Sequence, residues 1–305
     1  MTVLNKITTT VELDKDRAGL RSGGRTGAVV STPAGDSGFN AGDVPAKTGI
    51  GGNLRAGLRH GWLSALRSYL FINPLIWAYT IVLGTISLLV SLVDRDGRMQ
   101  HQLATAWSWL IMKTIFSPVT VTGNAGALVS GAGERARVFA VTHASALDIP
   151  VLYVYLPFQF RIIFKSELLS YPFVGWHLRR SGQVCINQQQ PTQSVGAIKS
   201  ALKSLRKGMP LVIFPEGGRT RDGEIQPFLP GAFFLAIKAQ ADIVPIALVG
   251  TFDLLPMNTY HIKCQPLEMR VGEVIPTAGL KMADMDAVSA RVKTSIEALH
   301  SAPGQ

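Results

Sequence analysis

The hydrophobic positions of the chain divide it into three stretches. Residues 1–57 hold few large apolar side chains, and Gly, Ser, Thr, Ala and scattered charges dominate there. Such a stretch buries too little apolar surface to offset its chain entropy, so we expect a disordered tail. Residues 58–117 contain long uncharged runs, whereas short apolar runs alternate with amphipathic ones from residue 118 onward. The pattern predicts a tail, a membrane-associated helical hairpin over residues 58–117 and a globular domain over residues 118–300.

The middle stretch contains two apolar helix candidates. Residues 69–93 form a run of about 25 residues without a charge, which is long enough to cross a hydrocarbon core. Residues 103–116 are too short to span, and Trp107 and Trp109 suit the membrane interface. Either the first helix spans the bilayer, or both helices form an anchoring hairpin that dips into one leaflet. A buried helix of a soluble protein is the third interpretation. We favour the hairpin, because the cysteines and the chemistry described below suit the cytosol.

The third stretch alternates short strand patterns with helix patterns, which is typical of an α/β domain. We therefore expect a mixed, mostly parallel sheet flanked by helices. The predicted strands are 119–123, 138–141, 183–186, 211–214, 243–249 and 267–271. The predicted helices are 146–156, 167–176, 192–207, 230–241 and 285–299.

The composition narrows the range of partners. Lys and Arg outnumber Asp and Glu by 30 to 20, and the net charge of +10 favours anionic partners such as lipid headgroups or phosphate-bearing substrates. The basic residues are scattered and form no recognisable nucleic-acid-binding module, so we expect no nucleic acid partner. Cys185 and Cys264 have neither metal-binding nor redox spacing, which favours a reducing compartment without a disulfide framework.

A histidine and an aspartate lie where a predicted strand gives way to a predicted helix. His143 and Asp148 stand between the apolar runs 137–141 and 149–155. Histidine takes a proton readily near neutral pH, and a nearby carboxylate fixes its tautomer and stabilises the imidazolium that forms. The two residues are therefore a candidate catalytic pair. The alternative is a buried core histidine beside a helix-capping aspartate.

A second polar loop follows the predicted strand 211–214. It places Glu216 and Arg219 on either side of Gly217 and Gly218. Open α/β sheets bind their ligands at the carboxyl ends of strands. The glycines let the backbone approach a ligand closely, and Arg219 offers the planar fork that suits phosphate. The loop is a candidate ligand site; the alternative is a surface turn in which the glutamate and the arginine pair.

Taken together, in this order and about 70 residues apart, the two motifs resemble the glycerolipid acyltransferase superfamily, in particular its bacterial 1-acylglycerol-3-phosphate acyltransferase branch. The resemblance covers roughly residues 70–280. The family's His-x4-Asp block matches at His143 and Asp148, and its Phe-Pro-Glu-Gly-x-Arg block matches at residues 214–219. The family's Lys-x-Glu-Leu element matches at Lys165 and the two residues after Ser166.

Two positions depart from the family pattern. The intermediate block of the family often ends in an arginine, where this chain has Gln188. A lysine often follows the glutamate block, where this chain has Leu229. The resemblance would assign both missing cations to phosphate binding. The cations that remain available for that role are Lys165, Arg179, Arg180, Arg219 and Arg221.

The resemblance implies a membrane-bound O-acyltransferase that moves a fatty acyl group from acyl-CoA or acyl-carrier protein to the hydroxyl of a lyso-phospholipid. The expected acceptor is 1-acyl-sn-glycerol-3-phosphate and the expected product is phosphatidic acid. His143 is then the general base and Asp148 its orienting partner. The acceptor-binding residues implied in this way are Glu216, Gly217, Arg219, Lys165 and Arg180. We expect no metal or other cofactor. The expected location is the bacterial inner membrane, with the catalytic domain on its cytoplasmic face and membrane lipids as partners.

Three alternatives stay open. The same chemistry on another lyso-lipid, such as a lyso-ornithine lipid, would suit Gln188 and Leu229. A membrane phosphohydrolase would use His143, Asp148 and Glu216 as metal ligands. A lipid-binding module with a decayed site would need no chemistry, although the intact polar residues of both motifs argue against decay.

Overall fold

The computed structural model describes residues 62–128, 136–187 and 194–303. The predicted tail, residues 1–57, lies outside the described residues, as does Gln188. The helices are α1 (Trp62–Val90), α2 (Arg98–Ile115), α3 (Asp148–Tyr155), α4 (Val174–Arg180), α5 (Val195–Arg206), α6 (Phe234–Ala239), α7 (Thr251–Leu254) and α8 (Met285–Ser301). Residues Ser68–Ile72 of α1 have π-helical geometry.

Within these residues, seven strands form one sheet. They are β1 (Val119–Gly123), β2 (Val138–Val141), β3 (Arg161–Lys165), β4 (Val184–Ile186), β5 (Leu211–Ile213), β6 (Ile243–Val249) and β7 (Leu267–Val271), in the order β1-β7-β6-β2-β5-β3-β4. The pair β6–β7 is antiparallel and every other pair is parallel. The predicted mixed, mostly parallel sheet is therefore confirmed.

The sheet is buried on both faces, which explains why its central strands are continuous apolar runs. In β2, Val138 and Ala140 pack into the core shared with α5, α6 and α8. Phe139 and Val141 point to the other face and pack with α2 and α3. Because successive side chains of a strand alternate between faces, β2 contributes to both cores and is held firmly in place.

The helices α1 and α2 are consecutive and contact each other. Trp107 Nε1 donates a hydrogen bond to Thr80 Oγ1 at 2.9 Å, and Tyr79 and Thr114 join their hydroxyls at 3.3 Å. Among the described helices, α1 alone has the length and apolar composition needed to cross a membrane. The structure differs here from the expectation that both helices form the anchor, because α2 packs against α3 of the globular domain.

Hydrogen bonds fasten α1 to the globular domain near both of its ends. Ser64 Oγ and His261 Nε2 lie 3.0 Å apart near its start, and Ser87 Oγ and His177 Nδ1 lie 2.7 Å apart near its end. The side that faces away from the domain exposes large apolar side chains, among them Leu70, Phe71, Trp77, Val82 and Leu89. The helix therefore lies along the domain and presents an apolar outer face.

The sequence pattern missed the strand β3 and the short helix α7, and two predicted helices, 167–176 and 230–241, are each a 3₁₀ turn followed by a shorter α-helix. The strand β3 has a short apolar centre between Arg161 and Lys165, which gave no strand pattern of its own. The predicted helix 167–176 is a 3₁₀ turn, Ser166–Ser170, followed by α4. The two are separated because Pro172 disfavours helical geometry in the residue before it.

Candidate active site

The two polar motifs meet because their strands are neighbours. β2 pairs with β5 in parallel, so the carboxyl ends of both strands lie at the same edge of the sheet. His143 follows β2, and Phe214 and Glu216 follow β5. Parallel pairing therefore brings residues more than 70 positions apart in sequence into one site.

His143 and Asp148 form the predicted pair. His143 Nδ1 lies 2.8 Å from Asp148 Oδ2. The same oxygen accepts hydrogen bonds from the backbone amides of Ala144 and Ser145 at 2.8 and 2.9 Å. The Asp148 side chain is fully buried, whereas that of His143 is 18% exposed. Because the carboxylate accepts from Nδ1, that nitrogen carries the ring proton, and Nε2 is left with a lone pair.

An aromatic ring fixes the plane of the imidazole. The Phe214 ring stacks on the His143 ring, with centroids 4.0 Å apart and planes inclined by 21°. The stack on Phe214 fixes the plane of the imidazole ring. The hydrogen bond to Asp148 fixes the rotation of the ring within that plane. Phe214 is a site residue because of its position directly after β5, and the family motif at residues 214–219 already contains it.

Glu216 joins the two loops. Its Oε1 accepts a hydrogen bond from the backbone amide of His143 at 2.8 Å, and its Oε2 accepts one from the amide of Gln226 at 2.9 Å. The amide of Thr220 in turn donates to the carbonyl of His143 at 2.9 Å. Burial raises the pKa of Glu216, and the two amide hydrogen bonds oppose that shift. The carboxylate thus faces the chain, which differs from the expectation that it holds the acceptor headgroup.

Gly217 allows the tight course of this loop. Its φ of +72° is left-handed, and a Cβ at this position would lie 2.5 Å from Leu229 Cδ1. Leu229 itself is tied to the loop, since its amide donates to the carbonyl of Pro215 at 2.8 Å. The residue that replaces the usual lysine therefore packs against the loop, and a glycine is required opposite it.

Three cations were predicted to bind the acceptor, namely Lys165, Arg180 and Arg219. The structure places two of them at the loop that follows β5. A Cβ on Gly218 would lie 3.3 Å from Lys165 Nζ, so this ammonium borders the loop. Arg219 is exposed and lines the same cavity as His143. Arg180 is exposed at the end of α4 and does not line that cavity; its carbonyl accepts a hydrogen bond from Gln100.

An apolar cavity of about 400 Å³ opens beside His143 and Arg219. Its walls come from α1, α2, α3, β3 and the segment between β3 and β4. The apolar lining includes Leu83, Leu103, Trp107, Ile149, Phe164 and Phe173. Sequence reasoning missed these residues, because nothing in an apolar side chain distinguishes a cavity wall from a core. The only sequence signal was the pair of apolar helices that precede the first motif.

The carboxylates of the site accept several hydrogen bonds. Asp148 Oδ2 accepts from His143, Ala144 and Ser145, and the Glu216 oxygens accept from the amides of His143 and Gln226. Among the described residues, no group of three His, Cys, Asp or Glu side chains is placed to hold a metal ion.

Comparison with known proteins supports the resemblance. Residues 119–249 match the family model described as Acyltransferase. A chloroplastic 1-acyl-sn-glycerol-3-phosphate acyltransferase of Brassica napus is 30% identical over 174 residues, which are 57% of this chain and 49% of the relative. The 1-acyl-sn-glycerol-3-phosphate acyltransferase of Helicobacter pylori is 36% identical over 132 residues, which are 42% of this chain and 56% of the relative. The chain thus spans about half the length of these curated relatives.

A solved structure shares the fold. The crystal structure of the 1-acyl-sn-glycerophosphate acyltransferase PlsC from Thermotoga maritima aligns with a TM-score of 0.62 at 23% identity, over 81% of this chain and 99% of that chain. The matched stretch 119–249 contains the histidine–aspartate pair and the glutamate loop that the geometry brings together. Over residues 119–249 the chain is therefore similar to acyltransferases, and it shares the fold of the solved structure.

Proposed function

We propose that this protein transfers a fatty acyl group from a thioester, acyl-CoA or acyl-carrier protein, to the hydroxyl of 1-acyl-sn-glycerol-3-phosphate, giving phosphatidic acid. The observation that carries the proposal is the position of His143. Its Nδ1 is held by a buried carboxylate, it lines an apolar cavity together with Arg219, and Lys165 borders the loop that carries Arg219. An amphipathic acceptor with an anionic head and an apolar chain fits such a site. The names of the curated relatives support the same acceptor.

In the proposed reaction, His143 Nε2 takes the proton of the acceptor hydroxyl while the hydroxyl oxygen attacks the thioester carbonyl. The C–O bond forms, and the carbonyl π electrons move to its oxygen to give a tetrahedral oxyanion. When this intermediate collapses, the C–S bond breaks and the leaving thiolate takes the proton back from the imidazolium. The buried carboxylate of Asp148 stabilises that imidazolium, and general base catalysis of this kind contributes about 10²–10⁴-fold.

Lys165 and Arg219 are the proposed contacts of the acceptor phosphate. Both lie at the loop that follows β5, beside the cavity that holds His143. Arg219 offers a bidentate fork to phosphate oxygens, and Lys165 adds a point charge. Glu216 is assigned a positioning role, because its carboxylate binds the amides of His143 and Gln226.

The apolar cavity is the proposed site of an acyl chain. Its lining is mostly hydrocarbon, and its volume lies within the range of ordinary ligand pockets. Burial of a chain contributes about 0.8 kcal/mol for each methylene removed from water. The open side of the site, at His143 and Arg219, then receives the reacting carbonyl and the headgroup.

We also propose that α1 lies within one leaflet of the membrane. Its contacts to the domain at Ser64 and at Ser87 are 23 residues apart, or ~35 Å at ~1.5 Å per residue. A helix attached to the domain over that length could cross a ~30 Å hydrocarbon core only by drawing the domain in with it. An in-plane α1, with its apolar outer face in the lipid, leaves the site open to the cytoplasm. The bacterial inner membrane and its cytoplasmic face are the proposed location.

The test is product identification. The purified full chain, reconstituted in vesicles, is incubated with acyl-CoA and separately with 1-acyl-sn-glycerol-3-phosphate, lyso-ornithine lipid and lyso-phosphatidylcholine, and products are identified by mass. We expect phosphatidic acid with stoichiometric CoA release, unchanged by EDTA. Acylation confined to lyso-ornithine lipid would overturn the proposed acceptor, and release of inorganic phosphate abolished by EDTA would overturn the reaction class.

A further inference from the structure

The segment Leu168–Arg180, named here the interface segment, exposes large apolar side chains outside the helix α1. Leu168, Tyr171 and Trp176 are 39, 54 and 41% exposed. Leu168 lies on the 3₁₀ turn, Tyr171 directly follows that turn and Trp176 lies on α4, all in the crossover between β3 and β4. Three large apolar side chains within nine residues form a patch, and contiguous exposed patches of this kind mark contact sites.

The interface segment packs directly against α1. A Cβ on Gly84 of α1 would lie 2.7 Å from Phe173 Cβ, so the two backbones approach as closely as a glycine allows. Ser87 of α1 bonds to His177 of α4 at 2.7 Å. The Trp176 ring packs edge-on against that of Phe173, with centroids 4.8 Å apart. The exposed side chains of the segment therefore lie next to the helix that is proposed to enter the membrane.

The segment ends in two exposed arginines. Arg179 and Arg180 follow Trp176 by three and four positions, which places all three on adjacent turns of one helix face. Neither arginine has a salt-bridge partner in the described part of the chain. Tryptophan and tyrosine prefer the headgroup level of a membrane, and basic residues beside them attract anionic headgroups.

We propose that the interface segment is a second membrane-docking surface, which binds the headgroup region of a bilayer that contains anionic lipids. Tyr171 and Trp176 lie at the headgroup level, and Arg179 and Arg180 contact lipid phosphates. This inference rests on the proposed membrane location of α1. Leu168 and Tyr171 also line the apolar cavity. Docking of the segment thus brings one wall of the cavity against the lipid from which an acyl chain is drawn.

The test places an environment-sensitive fluorophore at single cysteines of the full chain, in a Cys185→Ser, Cys264→Ser background. The three labelled variants are Val82→Cys on the outer face of α1, Tyr171→Cys on the interface segment and Thr294→Cys on α8, which packs on the opposite side of the sheet. Emission is recorded with detergent-free vesicles of phosphatidylcholine in which about one lipid in three is phosphatidylglycerol. We expect blue-shifted emission at positions 82 and 171 and aqueous emission at position 294.

The outcomes separate the two proposals. A blue shift at position 82 with aqueous emission at position 171 would overturn the docking surface and leave the membrane location of α1 intact. Aqueous emission at both positions would overturn the membrane location itself, and with it the inference that rests on it.

A second arm tests the role of the arginines. The variant R179Q/R180Q is compared with R206Q/K207Q, an exposed basic pair at the end of α5, both carrying the label at position 171. In unsubstituted protein we expect the equilibrium constant for docking, measured from the emission at position 171, to rise with phosphatidylglycerol content. Each arginine should contribute about fivefold to this constant (about 1 kcal/mol). R179Q/R180Q should lose this dependence and R206Q/K207Q should keep it. Equal dependence in all three proteins would overturn the assignment of the arginines to anionic lipid.

Discussion

Glu216 Oε1 accepts a hydrogen bond from the backbone amide of His143 at 2.8 Å, although 73 positions separate the two residues. The second oxygen of the same carboxylate accepts from the amide of Gln226. One half-buried side chain therefore holds the loop after β2 against the loop after β5. Its carboxylate sets the position of the histidine backbone, while Asp148 and Phe214 set the position of the ring.

Glu216→Gln should lower kcat with little change in the acceptor KM. The amide group keeps one acceptor oxygen but presents a donor NH₂ to the other backbone amide, so the histidine loop shifts. Displacement of a catalytic group by ~1 Å can cost about 10²-fold in rate. Steady-state kinetics with 1-acyl-sn-glycerol-3-phosphate measures both constants.

The matched control is Glu224→Gln, since Glu224 lies in the same loop and is exposed. This variant should retain the kinetic constants of the unsubstituted protein. A raised KM with an unchanged kcat in Glu216→Gln would show instead that the carboxylate binds the acceptor.

Gly84→Ala should destabilise the protein, although alanine is normally the better helix former. The added Cβ would lie 2.7 Å from Phe173 Cβ, so α1 must move away from the interface segment. Overpacking of this kind costs about 1–3 kcal/mol, which exceeds the ~1 kcal/mol gained from helix propensity. Thermal unfolding in detergent measures the net effect as a lowered Tm.

Gly196→Ala on α5 provides the comparison for that variant. A Cβ at Gly196 has no neighbour within 4 Å, so propensity alone acts there. Its Tm should rise by about 2–4 °C. If Gly84→Ala raised the Tm by the same amount, the close packing of α1 on Phe173 would be contradicted.

Acid should destabilise the protein as the pH falls from about 6.5 to about 4. Burial, and to a smaller extent the nearby His101, lowers the pKa of His177 from 6.5 to about 4. A folded-state pKa below the unfolded value means that the unfolded chain binds more protons within this window, so the free energy of unfolding decreases as the pH falls. The loss for His177 should be on the order of 1 kcal/mol.

The measurement is the free energy of unfolding at pH 7, 6 and 5 for unsubstituted protein and His177→Asn. The variant has no imidazole to protonate, so its stability should depend less steeply on pH. Identical slopes for the two proteins would show that His177 is not the group that titrates.

Ala104→Phe should shift the acyl preference toward shorter chains. Ala104 lines the apolar cavity from α2, and the larger ring occupies part of its volume. Each methylene that is excluded forfeits about 0.8 kcal/mol of burial, so exclusion of two lowers kcat/KM by roughly tenfold. A series of acyl-CoA donors and a series of 1-acyl-sn-glycerol-3-phosphate acceptors, each of increasing chain length, measure the preference. Exposed Ala298→Phe on α8 is the control. Length profiles that were unchanged in both series would place the acyl chain elsewhere.

Motif and strand patterns were sufficient to predict the sheet class and the histidine–aspartate pair. Parallel pairing of two apolar strands forces their following loops together, so His143 and Glu216 had to meet once both strands were recognised. The role of Glu216 was not predictable, because a sequence does not show which backbone amides a carboxylate faces. The cavity was not predicted for a related reason. Leu83, Trp107 and Phe173 come from separate elements, and in a sequence their apolar side chains cannot be distinguished from those of a core.

The positions of the cations expected to bind the acceptor were likewise only partly predictable from the sequence. Arg219 follows the predicted strand β5, so its sequence position already indicated the loop, whereas Lys165 ends β3, which the sequence pattern missed. Arg180 was grouped with them by charge alone, and the structure places it at the far end of α4, beyond a 3₁₀ turn and a proline that no pattern resolved. Charge predicts the class of partner, whereas topology decides which cations share a site.

The proposed function rests on the claim that His143 acts as the general base of acyl transfer. The decisive quantity is the kcat for transfer from acyl-CoA to 1-acyl-sn-glycerol-3-phosphate by purified His143→Ala, with circular dichroism and Tm confirming the fold. We expect kcat to fall by about 10²–10⁴-fold. A folded His143→Ala protein that retained the kcat of the unsubstituted enzyme would contradict the claim.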